Sequence, residues 1–321
     1  MPNSQPILII GAGSIGERHI RNLWALGYEN IIVYRQRNLP FRDIGNAKVT
    51  VVLTWDEVVK ANCFAAVICT PTAQHLQQTI NCLSANMHVL VEKPLSHQTF
   101  DVVELQQLAA SKNKLLQVGY MLRYHPLLLQ VKEAINKKKY GNLINLQTYW
   151  GEYLPNWHPW ENYEDSYAAK KDEGGGPALT LSHDIDVANW LADADVVKHQ
   201  GLPNFASNLN VTTESAFDVN LSYSNKVTAH VHVNFCQKIP QRFYKFVLDE
   251  AVIDINYFAS TIIIATAETT TKHQIENFDR NDMFIAQLKD FFSRIEGGNY
   301  QSYVNKQIEN SYNIINICNE R

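Results

Sequence analysis

The sequence has few cysteines, little net charge and no long hydrophobic run. Its 321 residues include five cysteines, none of them spaced as Cys-x-x-Cys. Neither a disulfide framework nor a metal site is therefore predicted, and a reducing compartment is favoured. The 28 basic and 32 acidic residues leave a formal charge of -4, which argues against a nucleic-acid or membrane-surface partner. The apolar runs are only as long as strands, so we expect a cytoplasmic protein with no membrane span and no signal peptide.

Length and apolar pattern together predict two domains, because 321 residues exceed what one hydrophobic core usually spans. In residues 1–120, short continuous apolar runs alternate with helical stretches, which is typical of a parallel sheet covered on both faces. This region is predicted to be an α/β domain of the doubly wound Rossmann type. The predicted strands are Ile7–Ile10, Ile31–Tyr34, Val49–Leu53, Phe64–Cys69, His88–Val91 and Leu115–Val118.

Residues 121–321 show a different pattern and are assigned to a second, α+β domain. An irregular, aromatic segment from Trp150 to Glu173 precedes closely spaced strand-like runs, which predict a large, mostly antiparallel open sheet. The predicted strands are Ala216–Tyr223, Val227–Phe235, Phe243–Leu248, Val252–Tyr257 and Ile262–Ala267. The predicted helices are Pro126–Lys139, Pro177–Leu191, Met283–Ile295 and Val304–Cys318.

A glycine-rich turn follows the first predicted strand. Residues 11–16 read GAGSIG, open a helix and precede a second strand, and this context makes the motif indicative of dinucleotide binding. Gly11 permits a tight turn, Gly13 lets the backbone approach a pyrophosphate, and Gly16 allows the helix to pack closely on the strand. The helix N-terminus at Ser14 and Ile15 then presents backbone N–H groups to the phosphates.

The end of the second predicted strand indicates which nicotinamide cofactor is bound. An acidic residue there would accept the 2′-hydroxyl of NAD, but residues 33–38 contain none. Arg35 and Arg37 stand there instead, and guanidinium groups suit a 2′-phosphate. The alternative is that both are solvated surface arginines. We expect NADP(H) to be favoured over NAD(H).

Five short motifs, in this order, resemble the Gfo/Idh/MocA family, named after glucose–fructose oxidoreductase, inositol dehydrogenase and rhizopine catabolism. The resemblance covers nearly the whole chain. It implies a second domain whose open sheet commonly forms a dimer contact, so a homodimer or homotetramer is expected. The motifs are the glycine turn with His19, Thr70-Pro71 with His75, Glu92-Lys93-Pro94, Gly119 with Arg123, and Gly174-Gly175-Gly176 followed by His183, Asp186 and Trp190.

The resemblance and the chemistry of hydride transfer suggest roles for these residues, since a hydroxyl proton must be moved as the cofactor carries the hydride. Lys93 follows a parallel strand, at the edge where ligands bind in open α/β sheets, and a lowered pKa would suit it as the acid/base. His183 is implied to contact substrate hydroxyls and to share this work, with Asp186 orienting its ring. The expected cofactor contacts also include Thr70, Pro71, His75, Glu92 and Lys93, and the expected substrate contacts are Arg123, Asp186, Trp157 and Tyr163.

Some features leave alternatives open. Trp157 and Tyr163 would pack against a sugar ring or against another domain or subunit, and their segment resembles family members associated with surface-carbohydrate biosynthesis. Leu179 stands where many family members carry an aspartate, so one anion is missing from the implied site. His230 and His232 are interpreted as a polar sheet face or dimer contact, and the role of Arg242 stays undecided.

We expect an oxidoreductase that moves a hydride between a nicotinamide and a carbinol or keto carbon of a sugar, sugar nucleotide or cyclitol. Lys93 and His183 are both expected to face the reactive nicotinamide carbon. One alternative is redox-neutral glycoside chemistry with a bound cofactor, and another is a cofactor-sensing regulatory protein without turnover. Retention of Lys93 and His183 argues against the regulatory alternative, whereas Leu179 keeps it open.

Overall fold

The computed structural model describes residues 5–36, 40–45 and 49–320. The strands are β1 Ile7–Ile10, β2 Ile31–Tyr34, β3 Thr50–Val52, β4 Ala65–Ile68, β5 His88–Val91, β6 Leu116–Val118, β7 Leu143–Tyr153, β8 Val196–Asn204, β9 Ala216–Tyr223, β10 Thr228–Asn234, β11 Cys236–Leu248, β12 Ala251–Asn256, β13 Thr261–Thr266 and β14 Thr270–Gln274. The helices are α1 Ser14–Ala25, α2 Trp55–Ala61, α3 His75–Ser84, α4 Val102–Lys112, α5 Pro126–Asn136, α6 Pro177–Thr180, α7 His183–Ala192, α8 Arg280–Gly297 and α9 Gln301–Cys318.

The chain divides into two compact units, and the division is not a single cut. The first unit comprises Met1–Gly119 and Asn281–Tyr312, and the second comprises Tyr120–Arg280 and Asn313–Arg321. A boundary at residue 120 assigns all of residues 121–321 to the second domain, whereas residues 281–312 belong with the first unit in the structure. The apolar periodicity of a helix shows that one face is buried but does not show which surface that face covers.

A six-stranded parallel sheet forms the centre of the first unit, in the order β3-β2-β1-β4-β5-β6. Every residue of β1, β4 and β5 is buried, as expected where helices cover both faces of a parallel sheet. The strand order reverses between β1 and β4, and ligands bind beyond the carboxyl ends of the strands at such a reversal. The predicted doubly wound α/β fold is confirmed.

The two C-terminal helices complete the core of the first unit. In α8, the ring of Phe292 stacks on Tyr28 with centroids 4.3 Å apart. In α9, Gln307 Oε1 accepts a hydrogen bond from the backbone N of Val118 at 3.1 Å. That contact satisfies a backbone donor on the edge strand β6, which would otherwise be buried without a partner.

An eight-stranded sheet forms the centre of the second unit, in the order β14-β13-β12-β11-β7-β10-β9-β8. The strand pairs are antiparallel except for β7 with β10, which is parallel. The mostly antiparallel open sheet is confirmed. The sequence pattern did not predict β7, β8 or β14. All five residues of β14 are exposed, so this strand has no apolar alternation that could reveal it.

The two faces of this sheet differ in polarity. On β10, Val231 and Val233 are buried, whereas His230 and His232 are half-buried, because alternate residues of a strand face opposite sides. His232 Nδ1 lies 2.8 Å from a carboxylate oxygen of Asp218. The interpretation of the two histidines as part of a polar sheet face agrees with this geometry.

Helices α6 and α7 occupy the span that was predicted as one helix. The backbone leaves the helical conformation at Leu181, with φ -103° and ψ 20°, and α7 begins at His183. His183 therefore lies at the first position of a helix rather than in the middle of one. No helix in the described part of the chain is both long and apolar enough to cross a membrane.

Candidate active site

The glycine turn of the first unit forms an open cradle at the end of β1. Gly11 has φ +86°, and a Cβ there would lie 3.0 Å from the carbonyl oxygen of Cys69, so the turn requires glycine. A Cβ on Gly16 would lie 2.0 Å from the Gly11 carbonyl oxygen, which means that Gly16 packs on the turn itself. A Cβ on Gly13 would meet nothing within 4 Å. The space in front of Gly13 is therefore open to a ligand.

The N-terminus of α1 is free of any side-chain cap, since Gly13 occupies the N-cap position. Backbone N–H groups at such a terminus suit a phosphate, which the helix dipole also favours. The open space at Gly13 and the uncapped helix together fit the pyrophosphate of a dinucleotide. When bound, a nicotinamide cofactor would supply the hydride chemistry.

A buried carboxylate in α1 fixes the loop that follows β2. Glu17 accepts hydrogen bonds from three successive backbone N–H groups, those of Arg42 at 2.9 Å, Asp43 at 2.6 Å and Ile44 at 3.2 Å. The guanidinium of Arg42 donates to Ser14 Oγ at 3.3 Å, and so lies at the start of α1. Arg42 was not predicted from the sequence, because its position depends on the loop that Glu17 holds.

The structure describes only one of the two predicted arginines. The guanidinium of Arg35 stacks over the ring of Phe41 at 4.3 Å from the centroid, at the end of β2. Arg37 lies outside the described residues. Arg35 and Arg42 therefore give this side of the first unit two positive charges near the cradle.

His75 connects the turns that follow β4 and β5. Its Nε2 lies 2.7 Å from the carbonyl oxygen of Thr70 and its Nδ1 lies 2.7 Å from that of Pro94. Burial lowers the pKa of His75, although the two carbonyls oppose this shift. Since both ring nitrogens face protein carbonyls, His75 contributes to the predicted cofactor site by holding these two turns in place. Pro71 follows Thr70 in the same turn, and the Thr70 hydroxyl donates to Gln78.

Lys93 lies just beyond the carboxyl end of β5, at the edge of the sheet where the glycine turn follows β1. The preceding residue, Glu92, is directed into the protein and accepts a hydrogen bond from His19 Nε2 at 2.9 Å. The peptide bond between Lys93 and Pro94 is cis. Glu92 is thus bonded to the helix that the glycine motif opens, and its contact with the cofactor stays a prediction.

In the second unit, His183 and Asp186 occupy the first turn of α7. His183 is buried and contacts Tyr120 edge-on, with ring centroids 5.8 Å apart. Burial and the charge of Asp186 raise the pKa of Tyr120 well above its usual value, so its hydroxyl keeps its proton. These groups place a hydroxyl and an imidazole at one end of the helix.

Arg123 and Asp186, both predicted to contact substrate, pair with each other. Arg123 Nε donates to one carboxylate oxygen at 2.9 Å and Nη2 to the other at 2.6 Å. Asp186 is fully buried, and such a bidentate pair satisfies both of its oxygens. The carboxylate thus holds Arg123, which lies in the 3-10 helix Met121–Tyr124, against α7. That Asp186 also orients the His183 ring stays a prediction. Trp190, one turn further on, contacts Lys132, which donates to its carbonyl oxygen.

A second buried ion pair fixes the same turn of α7 and was missed by the sequence analysis. Arg242 Nη2 donates to Asp184 Oδ2 at 2.5 Å, and both side chains are almost fully buried. The guanidinium also lies 3.7 Å from the ring centroid of Trp150, whose ring is 6.3 Å from that of His183. Arg242 thus makes an internal contact. Burial raises the pKa of Asp184, and Arg242 opposes this shift.

The aromatic segment after β7 packs onto the second unit. Trp157 lies edge-on to Phe235 with centroids 5.2 Å apart, and Tyr163 accepts a hydrogen bond from the backbone N of Asn210 at 3.1 Å. Trp150 and Trp157 each bury an indole N–H that has no hydrogen-bond partner among the described residues. Leaving such a donor unpaired costs about 1–3 kcal/mol. A hydroxyl-rich ligand or ordered water would satisfy both groups.

Two family models match the chain. The model described as "Oxidoreductase family, NAD-binding Rossmann fold" matches residues 6–120, and the "GFO/IDH/MocA C-terminal domain" matches residues 128–253. The chain belongs to the Gfo/Idh/MocA family of oxidoreductases. The resemblance inferred from the five motifs is therefore confirmed.

Characterised relatives are distant. An inositol 2-dehydrogenase of Rhodococcus erythropolis is 26% identical over 212 residues, which cover 63% of this chain and 57% of that protein. The chain thus spans little more than half of this relative in the alignment. An inositol 2-dehydrogenase of Gluconacetobacter diazotrophicus is 22% identical over 313 residues, covering 90% of this chain and 86% of that protein.

A similar fold occurs in solved structures. A levoglucosan dehydrogenase in complex with NADH and levoglucosan superposes with a TM-score of 0.82 at 15% identity, covering 98% of this chain and 95% of that chain. At this identity the likeness shows a shared fold. It does not carry the substrate across to this chain.

We expect Arg242→Ala to destabilise the protein by about 3–5 kcal/mol, because Asp184 is left as a buried charge without a cation. In the variant, burial should hold the pKa of Asp184 in the folded state above its pKa in the unfolded chain. The folded variant therefore loses stability as the pH rises from the unfolded pKa to the folded pKa. Urea unfolding at about pH 5 and about pH 8 should show the larger deficit at the higher pH.

The matched control is Lys137→Ala, which removes the cation of an exposed pair with Glu133 and should cost less than about 0.5 kcal/mol. A deficit for Arg242→Ala no larger than that of the control would contradict the assignment of a stabilising buried pair.

Proposed function

We propose that this protein transfers a hydride between a nicotinamide cofactor and a carbinol or carbonyl carbon of a sugar, sugar nucleotide or cyclitol. The observation that carries the proposal is the place of Lys93. It directly follows β5 at the carboxyl edge of a parallel sheet, and the open glycine cradle follows β1 at that same edge. Ligands of doubly wound domains bind at this edge.

Lys93 is assigned the proton transfer that must accompany hydride transfer. His183 is assigned contact with substrate hydroxyls and a share in moving the proton, because it begins a helix whose first turn is fixed by two buried ion pairs. A fixed first turn holds the imidazole in one orientation. Such positioning makes a substantial contribution to catalysis.

A polyhydroxylated substrate is supported by two independent observations. The buried indole N–H groups of Trp150 and Trp157 require acceptors that the described residues do not supply. The names of the relatives, inositol 2-dehydrogenase and levoglucosan dehydrogenase, describe enzymes of cyclic polyols and anhydrosugars. Hydroxyl groups of a sugar or cyclitol would accept from such donors.

The cofactor is proposed to be NADP(H) in preference to NAD(H). Arg35 is held flat against Phe41, and Arg42 is held near Ser14 by the bonds that Glu17 makes to its loop. Positive charge at these positions favours a 2′-phosphate over a 2′-hydroxyl.

The open sheet of the second unit is proposed to join two copies of the chain. On its polar face the ring of Tyr149 stacks between His232 at 4.6 Å and Phe243 at 5.0 Å. Near Phe243, the side chains of Ile239 and Phe258 are 77% and 51% exposed. An apolar group rimmed by polar residues on a sheet face favours a symmetric contact between identical surfaces.

Lys93→Ala and His183→Ala should each slow single-turnover hydride transfer by roughly 10²–10⁴-fold, because each removes a group assigned to proton handling. NADPH oxidation and NADP⁺ reduction would be followed at 340 nm with a panel of cyclitols, anhydrosugars and sugar nucleotides. Lys289→Ala and His273→Ala, which alter exposed residues, serve as controls and should leave the rate unchanged.

Near wild-type rates for both site variants would refute the assignment. Product formation without net change at 340 nm would favour the redox-neutral alternative. Cofactor binding without turnover across the panel would favour a regulatory protein.

We expect NADPH to bind more tightly than NADH, and Arg35→Asp or Arg42→Ala to narrow or reverse the difference because each removes positive charge beside the 2′-phosphate. Fluorescence titration with both reduced cofactors measures this. Lys289→Asp changes charge on an exposed part of α8 and should leave the ratio of the two affinities as it is. Equal or tighter binding of NADH by the unaltered protein would exclude the preference.

In solution the protein should be at least a dimer, and Phe243→Asp should weaken the association because it places a charge in the apolar part of the contact. Multi-angle light scattering would report the mass of both proteins. A particle of 36.6 kDa for the unaltered protein would contradict the proposal.

A further inference from the structure

The loop of residues 41–44 takes its position from helix α1. Glu17 lies in the first turn of this helix and is only 3% exposed. Its Oε1 accepts a hydrogen bond from the backbone N of Arg42 at 2.9 Å, and its Oε2 accepts from those of Asp43 at 2.6 Å and Ile44 at 3.2 Å. One buried side chain thus satisfies three successive backbone donors of the loop.

The side chains of this loop hold two guanidinium groups. Arg42 donates to Ser14 Oγ at 3.3 Å, and the ring of Phe41 lies under the guanidinium of Arg35 at 4.3 Å from the centroid. Arg35 directly follows β2, which runs parallel to β1. Both groups therefore lie at the edge of the sheet that carries the glycine turn.

A second link between this loop and α1 is exposed. Arg21 Nη1 donates to Asp43 Oδ2 at 3.2 Å, and the two side chains are 41% and 47% exposed. Ion pairs in contact with water contribute little to stability. Glu17 therefore carries more of the attachment of the loop than Arg21 does.

The bonds of Glu17 also decide which groups of the loop can recognise an anion. Successive backbone N–H groups in a turn form a concavity that suits a phosphate, but here a carboxylate of the protein occupies it. A phosphate beside this loop must then be recognised by side chains. The guanidinium of Arg42 is suited to that task, and its place follows from the backbone that Glu17 holds.

We propose that Glu17 is a positioning residue that sets the preference for NADP(H) without contacting the cofactor. This inference rests on the cofactor preference proposed above and adds the residue that determines it. Because Glu17 holds the loop before the cofactor arrives, Arg42 meets the 2′-phosphate without a separate cost of ordering the loop. NADH has no 2′-phosphate and gains nothing from this arrangement.

Position and charge make opposite predictions for Glu17. A phosphate monoester carries about two negative charges, so a nearby anion repels NADPH more than NADH. If Glu17 acted only through its charge, Glu17→Ala would strengthen the binding of NADPH relative to NADH, and Glu17→Asp would change nothing. If Glu17 acts by positioning, both variants weaken the binding of NADPH, because aspartate keeps the charge but is one methylene too short to hold the loop in the same place.

Fluorescence titration of the full-length protein with NADPH and NADH measures the ratio of the two affinities. In Glu17→Ala the affinity for NADPH should fall about tenfold, as expected when the loop occupies its working position only about a tenth of the time. The affinity for NADH should stay within about twofold of its original value. Glu17→Asp should shift the ratio in the same direction and covers the case in which Glu17→Ala does not fold.

Two controls separate this effect from general changes in charge and in the attachment of the loop. Glu268→Ala removes the same charge from an exposed turn between β13 and β14. Arg21→Ala removes the exposed link between the loop and α1. Both should leave the ratio of the two affinities unchanged.

A double variant tests whether Glu17 acts through Arg42. Arg42→Ala alone should lower the affinity for NADPH by roughly 10–100-fold, because it removes a hydrogen bond between charged groups. Adding Glu17→Ala should then change the ratio little, since residues that act through one contact are not additive. Fully additive effects would show that Glu17 does not act through Arg42 and would overturn the inference.

Hydrogen exchange of the protein without cofactor gives a readout that needs neither binding nor turnover. The backbone N–H groups of Arg42, Asp43 and Ile44 should exchange faster in Glu17→Ala and Glu17→Asp, whereas those of β1 should keep their protection. If the unaltered protein binds NADH as tightly as NADPH, the proposed preference fails and the inference fails with it. If it prefers NADPH through Arg42, but the ratio ignores Glu17 while the loop loses protection, the proposed preference stands and only this inference fails.

Discussion

A buried carboxylate is unfavourable unless fixed donors surround it, and the candidate site of this protein depends on that constraint. Removing a carboxylate from water costs several kcal/mol, which only close and well-directed partners recover. The buried Glu17 has three backbone N–H groups, the half-buried Glu92 has His19, and the buried Asp184 has Arg242. In each case the partner comes from a distant part of the sequence. Each pair therefore fixes two segments at once, which local secondary structure does not do.

The result is a set of functional segments that are rigid although they lie in turns and at helix ends. The loop after β2 is attached to α1, the turn after β5 is attached to the same helix, and the first turn of α7 is held by arginines from two other elements. Groups that bind or react must be held within a fraction of an ångström of their working positions. Polar contacts achieve this at the sheet edge, where the hydrophobic core ends.

Much of the fold was predictable because its signals are local. Continuous apolar runs separated by helical spacing indicated the parallel sheet, and the glycine turn after the first run indicated its ligand edge. Strands β7, β8 and β14 were not predicted. All residues of β14 are exposed, so it has no apolar alternation. The end of β7 lies in the aromatic segment that was interpreted as irregular. The helices α8 and α9 were found, but the surface they cover was not, since periodicity describes a face and not its partner.

By itself the sequence determined the family, the two kinds of sheet and the identity of the chemical groups, including Lys93, His183 and the glycines of residues 11–16. Each of these is encoded by a short run whose geometry follows from neighbouring residues. Tertiary structure alone decided that Asp186 pairs with Arg123 and Asp184 with Arg242, that Glu92 turns inward to His19, and that Arg42 reaches Ser14. These pairings join residues from 28 to 73 positions apart, and a charged side chain does not specify which distant partner will compensate it. That choice is made by packing, which brings the two groups together and excludes the water that would otherwise solvate them.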